Sequence, residues 1–257
     1  SSEDPKAEQY VIETNYGSFT VKLYNNTPNH RNNFMILASE GYYKNLLFHR
    51  VVENFMIQAG DPLSKNAESG QRLGSGGPDY SIKSEINSEN FHKQGALAAA
   101  RKANSENREK RSSGSQFYIV TGKVYTEDEL NALEKQINNK RKSQIINYYI
   151  DEKLGLRQKL NAFQAAENYE AVDSVLRAVT DEIKNDSIGF KDFEIPEEHR
   201  KIYTTQGGVP ALDGEYTVFG EVTEGMEIVE KIASLPVDEN DRPLYDVIIS
   251  EIRPVKK

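Results

Sequence analysis

The sequence contains no cysteine and no tryptophan, and only four histidines in 257 residues. The absence of cysteine excludes disulfide bonds, thiolate catalysis and cysteine-ligated metal sites. The histidines are scattered along the chain and form neither an HExxH motif nor a His-x-His pair, so no catalytic metal site is predicted. No segment approaches the roughly 18 consecutive apolar residues of a membrane-spanning helix, so no membrane span is predicted.

The chain also lacks an excess of positive charge. It has 32 Lys and Arg residues against 40 Asp and Glu residues, a net charge of −8. This balance does not favour binding to nucleic-acid phosphates, and no recognised nucleic-acid-binding module compensates for it. The 14 tyrosines and 10 phenylalanines, together with many aliphatic residues, still predict a folded core.

Several catalytic motifs are missing as well. The sequence has no GxSxG elbow, no Walker A loop and no GxGxxG between a strand and a helix, and the run GSGG at 74–77 is interpreted as a loop. The sequence therefore lacks the motifs that would indicate a hydrolase, a kinase or a dehydrogenase. No cofactor is expected.

Patterns typical of β-strands occupy both ends of the chain. Residues 9–24 alternate apolar and polar side chains around Tyr16-Gly17, which predicts a hairpin. A helix is predicted to begin near Pro28 and to end at Gly41. Further strands are predicted in LFHRVV, FMIQAG, QFYIVTG, YTVFGEV and YDVIISEIRPV, with a helix in EGMEIVEKIASL.

The middle of the chain, 123–206, has hardly any strand pattern. Thr126 and Glu129 form a capping-box motif, and Gly155 is a candidate helix break. Two apolar stripes at helical spacing predict a helical hairpin or a three-helix unit rather than a coiled-coil dimer. The stripes consist of Leu130, Leu133 and Ile137, and of Tyr169, Val172, Leu176, Val179 and Ile183.

Three motifs carry a family resemblance. They are FHRVVENFMIQAGD at 48–61, GALAAA at 95–100 with GSQFYI at 114–119, and LDG at 212–214 followed by YTVFGEV at 216–222. In this order they resemble the cyclophilins, the cyclosporin-binding peptidyl-prolyl cis–trans isomerases. The resemblance implies a mainly β fold, an eight-stranded antiparallel barrel capped by two helices, with an inserted α-helical subdomain. We expect a polar leader at 1–8, the barrel at 9–122 and 207–257, and the insertion at 123–206.

The resemblance also implies site residues. Arg50 would be the catalytic arginine, and Gln58 would steady it. The other positions would bind substrate: the proline pocket by Phe55, Met56, Tyr118, Leu212 and Tyr216, and the peptide backbone by Ala100, Arg101 and Gln116. Strand alternation alone does not unite Arg50, Phe55, Met56 and Gln58, so a bulge or barrel curvature is expected.

Two positions depart from the family pattern. Ala211 stands where many relatives have the tryptophan that often contacts cyclosporin, so binding of this drug is left open. Tyr216 stands where eukaryotic relatives have histidine, which resembles bacterial members. The compartment is also open: the polar leader and the absence of cysteine fit an exported protein and a cytosolic one, and the periplasm or cell envelope is slightly favoured over the cytoplasm.

The expected function is acceleration of X-Pro isomerisation in protein folding, with proline-containing peptides and unfolded proteins as partners. The alternative is a non-catalytic cyclophilin-like module that binds proline peptides or a partner, or acts as a chaperone. The helical insertion could hold unfolded chains, dock one protein partner, or serve only as structural elaboration.

Overall fold

The computed structural model describes residues 8–186 and 192–255. The chain forms two compact units, one of Ser1–Tyr125 with Glu198–Lys257 and one of Thr126–Glu197. The expected leader at 1–8 lies outside the described residues except for its last residue. None of the described helices combines the length and the apolar character that crossing a membrane requires.

The first unit is built on an antiparallel sheet of eight strands, in the order β10-β1-β2-β9-β6-β8-β4-β3, and β5 pairs with β7 in a separate ribbon. An isolated bridge between Leu47 and Ile248 joins the two edges of this curled sheet, which confirms the predicted barrel-like fold. The strands are β1 (Gln9–Thr14), β2 (Gly17–Leu23), β3 (Arg50–Val52), β4 (Met56–Ala59), β5 (Ser81–Ile82), β6 (Ala96–Ala99), β7 (Ser112–Ser113), β8 (Phe117–Val120), β9 (Val218–Glu224) and β10 (Ile249–Pro254).

Two helices pack on the barrel core, as predicted. Helix α1 (Pro28–Ser39) starts with a proline, whose missing N–H is not needed in the first turn, and Gly41, at φ +68°, follows its end. Helix α6 (Met226–Ala233) follows Gly225. Their apolar faces join the core through Phe34, Leu37, Val229 and Ile232.

The central strands bury side chains on both faces of the sheet. In β8, Phe117 and Ile119 join the main core inside the barrel. The alternating residues Tyr118 and Val120 belong to a second, smaller apolar cluster. Because side chains alternate along a strand, this second cluster lies on the outer face of the sheet.

The second unit is helical. It contains α2 (Glu127–Tyr148), α3 (Arg157–Ala165) and α4 (Tyr169–Asn185), and a single π-helical turn, Tyr149–Lys153, follows α2. The Thr126–Glu129 capping box is formed as predicted. The core of the unit includes Val172, Val179 and Ile183, as the stripe predicted, but Tyr169 is 67% exposed because it is the first residue of α4.

A histidine buried in the barrel unit gives stability a pH dependence. Burial lowers the pKa of His49, and nearby Asp61 only partly opposes this. The unfolded chain therefore takes up a proton first as the pH falls below about 6.5. We expect the free energy of unfolding to decrease between pH 7.5 and 5, measured by urea denaturation.

The substitution His49→Leu tests the source of this effect, since leucine has no proton to bind. The variant should lose less stability than the parent over the same pH range. The remaining slope should reflect groups such as His30, whose pKa burial also lowers. Parallel pH curves for parent and variant would contradict the assignment to His49.

Candidate active site

Strand register places the catalytic candidates on one face. Arg50 in β3 lies opposite Gln58 in β4, and Val52 lies opposite Met56. Gln58 in turn lies opposite Tyr118 in β8. Directly opposed residues point to the same side of a sheet, so these side chains share the outer face. The expected bulge is therefore not needed to unite Arg50, Met56 and Gln58.

Phe55 also lies on this face, but its position is set by a turn and not by a strand. It lies in the turn between β3 and β4, where its N–H donates to the carbonyl of Val52 over 3.1 Å, the i to i+3 bond of a tight turn. The turn includes Asn54 at φ +57°, a conformation that asparagine tolerates. Strand alternation does not apply to Phe55, and the side chain packs against the outer cluster.

The outer cluster brings together the residues expected to bind proline, and it is called the proline pocket. Its buried members include Met56, Ala98 and Tyr118, which are 2%, 0% and 5% exposed. Half-buried side chains pack around them, and all five expected proline-pocket residues belong to the cluster: Phe55, Met56, Tyr118, Leu212 and Tyr216. Ala211 is exposed, next to Leu212 in a short 3-10 turn.

The guanidinium of Arg50 is held from one side. Its Nε donates to Oδ2 of Asp241 over 3.3 Å, and both side chains are a little over 40% exposed. Asp241 sits at φ +61° in a turn, where its carbonyl also accepts from the N–H of Val51. Among the described residues, no partner occupies the two terminal nitrogens of Arg50. The sequence patterns gave no indication of Asp241, which is 191 residues away.

Gln58 forms a different contact from the one expected. Its Nε2 donates to Oε1 of Gln116 over 2.9 Å, and Arg50 is paired with Asp241 instead. Gln116 Nε2 donates in turn to the carbonyls of Gly74 and Gly76, at 3.0 and 2.7 Å. The two glutamines therefore tie β4 to the glycine-rich loop.

Arg101 holds the rim of the pocket. Its side chain is 4% exposed, donates from Nε and Nη2 to Glu215, and lies over the ring of Tyr216 at 4.5 Å. Within the described chain, the backbone N–H of Arg101 has no acceptor, whereas that of Ala100 donates to the carbonyl of Gln116. The free N–H is available to a ligand.

A cavity of about 790 Å³ lies next to the proline pocket, and Ala100 belongs to both. Gln58, Ala100, Arg101 and Gln116 line it, together with the glycine-rich loop at 74–77. Gln58 also lies opposite Tyr118 in the sheet, so the glutamine pair lies between this cavity and the outer cluster. Within residues 8–186 and 192–255, no group of three acidic or histidine side chains could hold a metal ion.

A buried polar group lies behind the pocket, and the sequence motifs did not assign it a role. His92 bonds both Tyr118 and Asp213. Burial, followed by nearby Tyr216 and Asp213, raises the pKa of Tyr118, so its hydroxyl stays protonated. In the sequence, only Tyr118 in the GSQFYI motif and Asp213 in the LDG motif belonged to the marked residues.

Comparisons with known proteins bear on the family and the fold of the chain. The sequence model described as "Cyclophilin type peptidyl-prolyl cis-trans isomerase/CLD" matches residues 9–142 and 180–253. Proteins named "Putative peptidyl-prolyl cis-trans isomerase" from Staphylococcus haemolyticus and Staphylococcus saprophyticus are each 29% identical, over 94% and 96% of this chain and 88% and 91% of their own length. Since the second unit makes up more than a quarter of the chain, these alignments extend into it.

Among solved structures, a Cryptosporidium parvum cyclophilin-type peptidyl-prolyl cis-trans isomerase superposes with a TM-score of 0.56 at 20% identity. The match covers 98% of this chain and 99% of that chain. A second structure of the parasite protein, determined in the presence of the dipeptide Ala-Pro, gives a TM-score of 0.55. These likenesses support the fold.

Gly60, which follows β4, allows the close backbone approach that positions Gln116 for its bond with Gln58. Replacement of this glycine tests how much that approach matters. Gly60 has φ +95°, and a Cβ there would overlap the carbonyl oxygen of Ser115 and approach Cα of Gln116 to 2.9 Å. We expect Gly60→Ala to lower the free energy of unfolding by about 2–3 kcal/mol and to displace Gln116. Urea denaturation measures the first effect.

Gly70→Ala is the matched control. Gly70 has φ +77°, and nothing lies within 4 Å of its would-be Cβ. Only the backbone conformation is then penalised, at about 1 kcal/mol. Equal losses in the two variants would show that close approach at Gly60 is unimportant.

Proposed function

The chain belongs to the family of cyclophilin-type peptidyl-prolyl cis–trans isomerases, enzymes that accelerate rotation about X-Pro bonds, and on this premise we propose that Arg50 is its catalytic group and the outer apolar cluster its proline site. Proline-containing peptides are the substrate class of the family. The Cryptosporidium parvum neighbour, studied with Ala-Pro, supports a ligand of this kind.

The reaction needs no covalent chemistry. Rotation about an amide bond crosses a barrier of about 18–20 kcal/mol because the C–N bond has partial double-bond character. An enzyme has to hold the proline ring and stabilise the twisted amide. In that state the prolyl nitrogen becomes pyramidal and gains a lone pair, which a fixed guanidinium can use as an acceptor. The interaction exists only in the transition state and therefore accelerates the reaction.

The observation that carries the proposal is the register of β3, β4 and β8. It places the Arg50 guanidinium on the same face as Met56 and Tyr118. Asp241 occupies Nε, which leaves the terminal nitrogens for a ligand. Arginine suits this role because it is always protonated and has a rigid fork of donors.

The peptide would lie along the glutamine pair. The free N–H of Arg101 is a suitable donor to a substrate carbonyl, and the pocket rim formed by Tyr216 covers the proline ring. We propose that Gln58 and Gln116 border this groove as a bonded pair. Gln58 would then act by fixing Gln116 rather than by a direct hydrogen bond to Arg50.

Substitution of the arginine tests the enzymatic role. We expect Arg50→Ala to lower kcat/KM about 10²- to 10³-fold, because one preorganised transition-state donor is lost. Arg50→Lys should restore little, since lysine is a flexible point charge. Exchange NMR on a short X-Pro peptide measures the rate without a coupled protease.

Arg253→Ala is the control, because Arg253 is also a strand arginine paired with a carboxylate, that of Glu13. It should retain the parent rate. If the parent chain binds the peptide without accelerating exchange, the alternative of a non-catalytic binding module is correct. If Arg50→Ala stays within threefold of the parent, the assignment of Arg50 fails.

We further propose that the helical unit, Thr126–Glu197, contacts protein partners or unfolded chains. The support is a set of exposed apolar side chains on this unit: Tyr148, Leu154 and Tyr169, which are 50%, 38% and 67% exposed. An exposed apolar side chain gains free energy when it packs against an apolar segment of another chain and leaves water. Contact of this kind would matter for protein substrates and not for short peptides.

The triple variant Tyr148→Ser, Leu154→Ser, Tyr169→Ser tests this role. We expect unchanged exchange of a short peptide and at least twofold slower refolding of a proline-limited protein. The matched control is Leu244→Ser with Tyr245→Ser, exposed apolar residues of the barrel unit. Equal refolding rates for parent and both variants would overturn the proposal.

A further inference from the structure

A chain of buried hydrogen bonds runs behind the proline pocket. The Tyr118 hydroxyl lies 3.0 Å from Nε2 of His92, and Nδ1 of His92 lies 2.9 Å from Oδ1 of Asp213. Oδ2 of the same carboxylate accepts from the Tyr203 hydroxyl over 2.6 Å. Four side chains from distant parts of the sequence are thus joined in one line.

The line has a defined direction of donation. The carboxylate of Asp213 can only accept, so Nδ1 of His92 carries a proton. In the neutral ring, Nε2 then accepts from the Tyr118 hydroxyl. The backbone N–H of His92 also donates to Oδ1 of Asp213, over 2.9 Å. Burial, then the charge of Asp213 and the hydrogen bond to it, raise the pKa of Tyr203, which keeps this hydroxyl a donor.

The side chains of this hydrogen-bonded line are largely shielded from water. Tyr203 and His92 are fully buried, and the side chain of Asp213 is 13% exposed. A buried polar group without its partner costs stability, so removal of one member leaves the next one unsatisfied. The position of each side chain is therefore tied to the others.

Neighbouring residues hold Tyr203 in the position from which its hydroxyl donates to Asp213. It is the last residue of α5 (Glu197–Tyr203). Phe91 meets its ring edge-to-face at 5.6 Å and stacks on His199 at 3.8 Å. The carbonyl of Tyr203 accepts from the N–H of Tyr125 over 3.0 Å.

The hydrogen-bonded line is connected to three residues of the proline pocket: Tyr118, Leu212 and Tyr216. Tyr118 is a pocket residue, and Asp213 directly follows Leu212 in the chain. The ring of Tyr216 packs edge-on against both Tyr118 and His92, at 5.8 and 6.3 Å. A shift of His92 would therefore disturb both aromatic walls.

We propose that Tyr203 is a positioning residue for the proline pocket, acting through Asp213 and His92 on the ring of Tyr118. The inference rests on the proposed function of that pocket. It assigns to the segment after the helical unit a direct part in shaping the substrate site. Tyr203 does not touch the substrate.

Tyr203→Phe removes one hydroxyl and keeps the ring that packs on Phe91. We expect the dissociation constant for a short X-Pro peptide, measured by NMR titration, to rise about three- to tenfold. The exchange rate at saturating peptide should stay within twofold, because Arg50 is unaffected. Tyr43→Phe, which removes the hydroxyl of a tyrosine in the barrel core, should leave both values unchanged.

A double-mutant cycle separates positioning from general destabilisation. In a Tyr118→Phe background the line is already cut at the pocket, so adding Tyr203→Phe should weaken binding less than twofold further. The downfield imidazole N–H signal of His92 should also shift in Tyr203→Phe.

Three outcomes would overturn the inference while leaving the catalytic role of Arg50 intact. They are unchanged affinity in Tyr203→Phe, an equal loss in both backgrounds, or a fall in the saturated exchange rate with affinity preserved. Failure of the proposed function looks different, because the parent chain itself would then not accelerate exchange.

Discussion

The register between β3, β4 and β8 is the constraint on which the site depends. It sets Arg50 against Gln58 and Gln58 against Tyr118 across two strand pairs. Because the side-chain period of a strand is two, a slip of one residue would turn Arg50 towards the barrel core. Burial of Val51, Ile57 and the other inward residues thus fixes the groove on the opposite face.

The residues at the centre of the outer face are small. Ala98 lies between Tyr118 and Val218 in the sheet, and Ala96 is its neighbour along β6. Half-buried side chains from distant loops, such as Tyr216, complete the walls of the proline pocket.

Polar groups around the pocket are held by partners from distant segments. Asp241 holds Arg50, Glu215 holds Arg101, and the glutamine pair holds the glycine-rich loop. The His92 group is the most buried of these arrangements. Each one orients a side chain before substrate arrives, which reduces the ordering that binding has to supply. An enzyme that stabilises a twisted amide by orientation depends on such fixed groups.

The sequence by itself determined the local elements: the first hairpin, the Pro28 helix, the Thr126 capping box and most of the Val172–Ile183 stripe. These depend on neighbours within a few residues, where periodicity and capping chemistry act. Motif resemblance supplied the candidates Arg50, Phe55, Met56 and Tyr118. The tertiary structure decided the register that unites them, the partners Asp241 and Gln116, and the link from Tyr203 to Asp213 and His92. Those contacts join residues far apart in the chain, and no local pattern encodes which distant group a side chain will meet.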